Sequence, residues 1–194
     1  VRESFALIQK NVNLEARLID DLLDLTRITR GKLQLEKVAC DVHRIIEDAT
    51  GSVQGDAAAR DIRLVPRCHA RHTQMVGDTM RLQQIIWNVL RNAVKFSPAG
   101  GEVIIETRND EPGRIRICVT DFGIGIPESE LDKSFDAFSQ GGHASTPGKV
   151  GYPGLGLGLS IARMLTALHA GKISARSDGP GKGATFEIDL PLED

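Results

Sequence analysis

Cysteine is sparse: Cys40, Cys68 and Cys118 are the only three, odd in number and far apart. That excludes a disulfide framework and a CxxC metal knuckle, and it suits a reducing cytoplasm. No run approaches the roughly 18 consecutive apolar residues of a membrane span. The opening VRESFALIQKN also lacks the apolar core and small-residue cleavage site of a signal peptide. This stretch is therefore expected neither to cross nor to enter a membrane. Positive charge is not in excess, with 24 Lys plus Arg against 26 Asp plus Glu and a net charge of -2, so nucleic acid is excluded as a main partner. Aromatics are few (one Trp, one Tyr, six Phe), whereas the 20 glycines crowd between Gly123 and Gly183, where the chemistry is to be sought.

With 194 residues, 41% hydrophobic and 26% charged, the chain is long and apolar enough for one globular domain with an appendage, and disorder is excluded for most of it. It begins without Met and inside a helical pattern, which reads as a piece of a longer protein. From Val1 to about Thr29 there is no Gly or Pro, and two apolar stripes overlap: Val1, Phe5, Ile8, Val12, Ile19, Leu22 and Leu7, Leu14, Leu18, Leu25, Ile28. Two apolar faces need two neighbours, as in a bundle or dimer, with Asp20, Asp21, Asp24 and Arg27 among the residues on the wet sides. An ordinary amphipathic helix packed on its own domain is the plainer alternative. Arg30 and Gly31 close the helix.

Lys32 to Cys40 alternates enough for a strand, and Asp41 can cap a helix carrying Val42, Ile45, Ile46, Ala49 and Val53. Short strands follow at Ile62–Cys68 and Gln74–Val76. Asp78 caps a strong helix whose apolar side is Leu82, Ile85, Ile86, Val89, Leu90, Ala93 and Val94, ended by Ser97-Pro98-Ala99-Gly100-Gly101. Strands at Glu102–Thr107 and Arg114–Thr120, a helix at Leu159–His169 and strands at Lys172–Ser177 and Ala184–Leu190 complete the pattern. Hairpins clustered among helices predict an α+β fold, a two-layer sandwich of a mixed, mostly antiparallel sheet and helices, preceded by one long helix.

Three segments carry chemistry. Asn88 and Asn92 stand one helical turn apart with Lys95 beside them, so amide oxygens able to ligate a hard cation adjoin a point charge able to meet phosphate. Taken alone, such asparagines are as readily solvated or capping. Asp121-Phe-Gly123-Ile-Gly125 follows a strand; its carboxylate can accept from an exocyclic amine and its glycines let backbone approach a flat ligand, although a tight turn would look the same. The Asp-Phe-Gly triplet has no HRD or VAIK companion, which excludes a eukaryotic-type protein kinase. Gly151-Tyr-Pro-Gly154-Leu155-Gly156-Leu157-Gly158 presents backbone amides at a helix N-terminus, an anion site that is neither a Walker A loop nor GxGxxG. The Gly, Ser and Pro of Ser139–Pro153 before it read as a lid.

In this order and spacing the segments resemble the catalytic and ATP-binding domain of sensor histidine kinases, within the gyrase, Hsp90, histidine kinase and MutL superfamily. Asp78–Phe96 is similar to the family's N box, Asp121–Gly125 to its G1 box, Phe135-Asp-Ala-Phe138 to its F box and Gly154-Leu-Gly-Leu-Gly158 to its G2 box. Asp20–Ile28 and Gly31-Lys32-Leu33 resemble the second helix and linker of the dimerisation and phosphotransfer hairpin. The resemblance implies a Bergerat-type fold over residues 32–194 and a partial hairpin over 1–31.

It also implies roles. Asn92, helped by Asn88, would ligate Mg²⁺, and Lys95 would meet the phosphates of ATP. Asp121 would bind the adenine amine while Gly123 and Gly125 let the base approach and Phe96 flanks it. Gly156 and Gly158 would present amides to the phosphates as the lid closes, and Phe138, Gly154, Leu155 and Leu157 would complete the cofactor-binding set. The implied partners are a phosphoacceptor histidine helix of the same or a partner subunit, a response regulator receiver domain, and a second copy of the chain through residues 1–29. The location would be cytoplasmic, as the cytoplasmic part of a larger bacterial protein that could itself be membrane-bound.

The family's acceptor histidine should precede Val1, and none of His43, His69, His72, His143 or His169 replaces it. Cys68, His69 and His72 form no complete metal set. A hydrolytic ATPase of the gyrase or Hsp90 type would place a glutamate where Asn88 stands, so ATP hydrolysis is expected to be negligible. A serine/threonine kinase of the anti-sigma type and a non-catalytic nucleotide-binding regulatory or dimerisation module are the remaining alternatives.

Overall fold

The computed structural model describes residues 2–139 and 156–192. Helix α1 (Arg2–Thr29) runs until Gly31, which takes φ of 63°, a conformation glycine reaches without strain, and donates to the Ile28 carbonyl at 2.9 Å. The helix has two apolar faces with different fates. Leu25 and Ile28 pack on the core of the following domain, while Val12, Ile19, Leu22 and Leu23 are exposed. Asp24 corrects the sequence expectation: it is buried rather than wet, because it lies one turn before Ile28 on the docked face and finds donors there.

The strand expected over Lys32–Cys40 contracts to β1 (Val38–Asp41). The preceding linker has no strand partner; the Glu36 amide donates instead to the Asp78 carboxylate at 3.1 Å. Asp41 ends β1 and caps α2 (Val42–Ala58), accepting from the His43 and Arg44 amides at 2.8 and 3.3 Å. After β2 (Arg63–Cys68) and β3 (Gln74–Gly77), Asp78 caps α3 (Thr79–Phe96) by accepting from the Arg81 amide at 3.1 Å. Strands β4 (Glu102–Arg108) and β5 (Arg114–Asp121), two 3-10 turns (Glu128–Glu130 and Asp132–Phe135), α4 (Gly158–Leu168), β6 (Lys172–Arg176) and β7 (Ala184–Pro191) follow.

The strands form a five-stranded sheet in the order β2-β4-β5-β7-β6 and a separate antiparallel pair, β1 with β3. Among the described residues only β2 and β4 run parallel, Arg63 opposite Glu102; the other neighbours are antiparallel. The expected α+β sandwich is therefore present, with α2, α3 and α4 on one face of a mixed, mostly antiparallel sheet. Period-two alternation sends Ile115, Ile117 and Val119 of β5 and Phe186, Ile188 and Leu190 of β7 into the core. The same parity carries Asp121, the last residue of β5, to the inner face at the sheet's end. Among the described residues no helix is long and apolar enough to cross a membrane.

Candidate functional site

Helix α3 supplies one wall. Its apolar stripe faces the sheet and its neighbours α2 and α4, and Asn88 falls within that buried stripe at 5% exposure. The Asn88 Nδ2 is the one buried side-chain polar atom without a hydrogen-bond partner among the described residues. An orphaned buried donor costs about 1 to 3 kcal/mol and is a strong indication that a ligand or water completes it. Asn92, one turn on, is partly exposed, and Lys95 follows with its Nζ 4.9 Å from the centre of the Phe96 ring. Although the Lys95 side chain reaches solvent, partial shelter of its ammonium, and then the neighbouring Arg91 charge, hold its pKa below that of an ordinary lysine.

The second wall is the loop after β5. Asp121 is 4% exposed, and burial pushes its carboxyl pKa up against the opposing pull of the Gly123 and Ala184 amides. Its Oδ1 accepts from the Gly123 amide at 2.9 Å, which aims the carboxylate and leaves acceptor capacity free. The glycines of this loop have an intramolecular reason beyond any ligand. A Cβ on Gly123 would lie 2.1 Å from the Phe96 carbonyl oxygen, and one on Gly125, at φ of 69°, would lie 2.1 Å from the Gly179 carbonyl oxygen. The first close approach sets the end of α3 against the loop, so Lys95 and Phe96 stand beside Asp121's strand end.

The start of α4 is the third wall. Gly158 fits because it lacks a Cβ, which would sit 2.9 Å from Asn88 Oδ1. Leu157 buries its side chain, and among the described residues no side chain caps the first amides of α4. An uncapped helix start of this kind, with its dipole, suits an anion. Gly156, at φ of 72°, closes on the Ser139 carbonyl, where a Cβ would stand at 2.6 Å. Phe138 is 59% exposed with φ of 64°, unusual for a bulky residue, whereas Phe135 is core, edge-on to Phe186 with ring centres 6.1 Å apart. Gly154, Leu155, His143 and the rest of the expected lid after Ser139 lie outside the described residues.

Together the walls pair a buried carboxylate acceptor with two helix amides, a lysine and an open helix N-terminus. The chain matches the model of the histidine kinase-, DNA gyrase B- and HSP90-like ATPase family over residues 77–194, more than half its length. It belongs to that family. The hybrid signal transduction histidine kinase D of Dictyostelium discoideum is 32% identical over 99% of this chain and 14% of that protein. The aerobic respiration control sensor protein ArcB of Escherichia coli is 34% identical over 89% of this chain and 22% of that protein. The chain thus spans less than a quarter of the curated relatives it matches. Among solved structures, full-length ShkA in complex with AMPPNP superimposes with a TM-score of 0.82 at 26% identity, covering 98% of this chain and 38% of that one. Within the family the likeness is to the catalytic and ATP-binding domain of sensor histidine kinases.

Two residues given no role in the motif reading matter to the site. Ser177 bonds the loop after β5, and Arg81 ties α3 to α1. Neither partner was visible in the sequence, because Arg81 reaches Asp24 and Ser177 reaches Ile126 from dozens of residues away. Among the described residues no group of three or more His, Cys, Asp or Glu could hold a metal. The donor set for a cation here is amide oxygen, and it fits Mg²⁺, which keeps several waters and draws most other ligands from phosphate. The unpartnered Asn88 atom is Nδ2, an N–H donor that a phosphate oxygen or water would complete, whereas only the amide oxygens of Asn88 and Asn92 could face a cation.

Proposed function

We propose that the chain is the ATP-binding catalytic part of a two-component sensor histidine kinase, with residues 1–31 the second helix of its dimerisation hairpin and residues 32–194 the catalytic domain. It binds ATP with Mg²⁺ and passes the γ-phosphoryl group to a histidine outside this chain. Its further partners are a response regulator receiver domain and a second copy engaging residues 1–29; its location is cytoplasmic. The observation that carries the reading is the buried, unpartnered amide of Asn88, held against Gly158 at the uncapped start of α4.

In this reading Asp121 accepts from the adenine amine and Phe96 flanks the base. The backbone amides at Gly156, Leu157 and Gly158 receive phosphate oxygens, and Lys95 meets them as a point charge. Bound Mg²⁺ supplies charge neutralisation, with Asn92 and Asn88 as the protein's donors to it. An acceptor imidazole nitrogen forms the new bond to phosphorus as the bond to the bridging oxygen breaks and ADP leaves. Positioning and charge suffice for such a transfer, and no side chain here need act as a nucleophile. The chain has Asn88 where a water-activating carboxylate would stand, so hydrolysis by the purified chain is expected to be negligible.

The test is calorimetric titration of Mg-ATP and Mg-ADP into the chain, Asn92→Ala and Asp121→Asn. Binding weakened strongly by both substitutions, followed by phosphoryl transfer to a separately supplied acceptor hairpin, supports the proposal. Absence of binding by the parent chain sinks it; binding without transfer favours the regulatory module. Rapid ATP turnover would favour a hydrolytic ATPase.

A further inference from the structure

One hydroxyl outside the four motif segments is fully committed. Ser177, just past β6, donates through Oγ to the Gly183 carbonyl at 2.6 Å and accepts from the Ile126 amide at 3.0 Å and the Gly179 amide at 3.3 Å. The Gly179 carbonyl stands at 3.4 Å as a second acceptor. A serine hydroxyl has one proton and two lone pairs, so its capacity is used.

Its partners belong to two loops. Ile126 lies in the loop after β5 that begins at Asp121, and Gly179 and Gly183 lie in the connector between β6 and β7. Backbone bonds join the same loops: the Gly181 amide donates to the Ile124 carbonyl at 2.6 Å and the Gly183 amide to the Gly123 carbonyl at 3.2 Å. Gly125 meets Gly179 so closely that no Cβ fits between them. Ser177 adds a side chain that bonds to both loops at once.

We propose that Ser177 is a positioning residue for base recognition, welding the β6–β7 connector to the loop after β5 so that the Asp121 carboxylate is held in the orientation that selects a base with an exocyclic amine. The link is short. Asp121 Oδ1 is aimed by the Gly123 amide, Gly123 is held from the other side by the Gly183 amide, and Ser177 accepts from Ile126 and donates to Gly183. Discrimination by a single hydrogen bond demands that orientation, because the bond weakens steeply as its angle closes. The inference rests on the nucleotide reading above.

The experiment titrates the 194-residue chain, Ser177→Ala, Ser177→Thr and Asp121→Asn with ATP and with purine riboside triphosphate, which lacks only the 6-amine, both with Mg²⁺. Ser177→Ala is expected to lose about tenfold in ATP affinity and much less for the amine-free nucleotide, so that the preference collapses. Ser177→Thr, which keeps the hydroxyl, should restore it. Should the alanine variant fail to fold, Ser177→Cys, similar in size but a poor donor and acceptor, takes its place with the same readings. A variant that melts earlier yet keeps the parent's preference would overturn the proposal, since Ser177 would then be merely structural. Failure of the parent to bind, or unchanged ATP binding by Asp121→Asn, would instead overturn the nucleotide reading itself.

Discussion

Arg81 Nη1 lies 2.6 Å from Asp24 Oδ2, joining helix α1 to the helix that carries Asn88, Asn92 and Lys95. The carboxylate also accepts from Gln84 Nε2 at 2.9 Å, and Arg81 donates to Gln84 Oε1 at 2.7 Å, so three side chains close a ring across the α1–α3 junction. The side chains of Arg81 and Asp24 retain only 23% and 11% of their exposure, so the pair is screened less than a surface ion pair.

Removing one partner leaves the other charge poorly solvated, which matters more than the bond lost. Asp24→Ala is therefore expected to destabilise by about 2 kcal/mol, and Asp24→Asn, which keeps an acceptor, by about 1 kcal/mol. A double-mutant cycle with Arg81→Ala in chemical denaturation checks this; additive effects would show that the two residues are uncoupled.

Burial raises the Asp121 pKa in the folded state, so the fold accommodates its protonated form better than its charged one. Its contribution is fully present below the unfolded carboxyl pKa near 3.8 and is lost as pH rises through the folded value. Asp121→Asn keeps the acceptor for Gly123 and removes the buried charge, so at pH near 7 its melting temperature should equal or exceed the parent's, while the melting shift produced by Mg-ATP disappears. Thermal melts from about pH 4 to 8, with and without nucleotide, measure both.

Gly123 and Gly158 should respond oppositely to alanine. At Gly123 the new Cβ meets the Phe96 carbonyl at 2.1 Å, backbone against backbone, and a loss of more than about 3 kcal/mol is expected. At Gly158 it meets only the Asn88 side-chain oxygen at 2.9 Å, within a helix where alanine is favoured by up to about 1 kcal/mol. Gly158→Ala should fold as well as the parent and bind Mg-ATP poorly, a pair of results that melting curves and calorimetry separate.

His169 is neutral in the fold. Its Nε2 accepts from the Asp78 amide at 3.1 Å, which requires the proton on Nδ1, where the Leu165 carbonyl lies at 2.8 Å. Burial first, then the Lys37 charge, lowers its pKa, against the opposing influence of Leu165 and Asp78. Stability is therefore full above the unfolded histidine value near 6.5 and is lost as pH falls from there through the folded pKa, by at most about 1.4 kcal/mol per pH unit. Denaturation midpoints between about pH 5 and 7.5 should fall with acid in the parent and flatten in His169→Gln.

Much of this was legible in the chain. Asp41 and Asp78 read as caps because a short carboxylate before an apolar helical period has one local use, and both cap. The alternation of β5 and β7 and the stripe of α3 read directly, since each element's period reflects which of its faces meets the core. The linker before Val38 misread as strand because alternation alone cannot supply a partner, and Glu36 found Asp78 instead. Asp24 misread as wet because a helix's charged residue is classed by its own face until a cation from another element covers it.

By itself, then, the sequence determined the elements, the order of the boxes and the types of group available: amides at Asn88 and Asn92, a cation at Lys95, a carboxylate at Asp121 and glycines where backbones must approach. These are local properties, set by periodicity, capping and steric size. Tertiary structure alone decided what those groups face. It buried the Asn88 amide without a partner, set Gly123 against Phe96 and Gly125 against Gly179, and routed Ser177 to Ile126. Such relations join residues dozens of positions apart, and only the packing of α3, the sheet end and the β6–β7 connector brings them within hydrogen-bond reach.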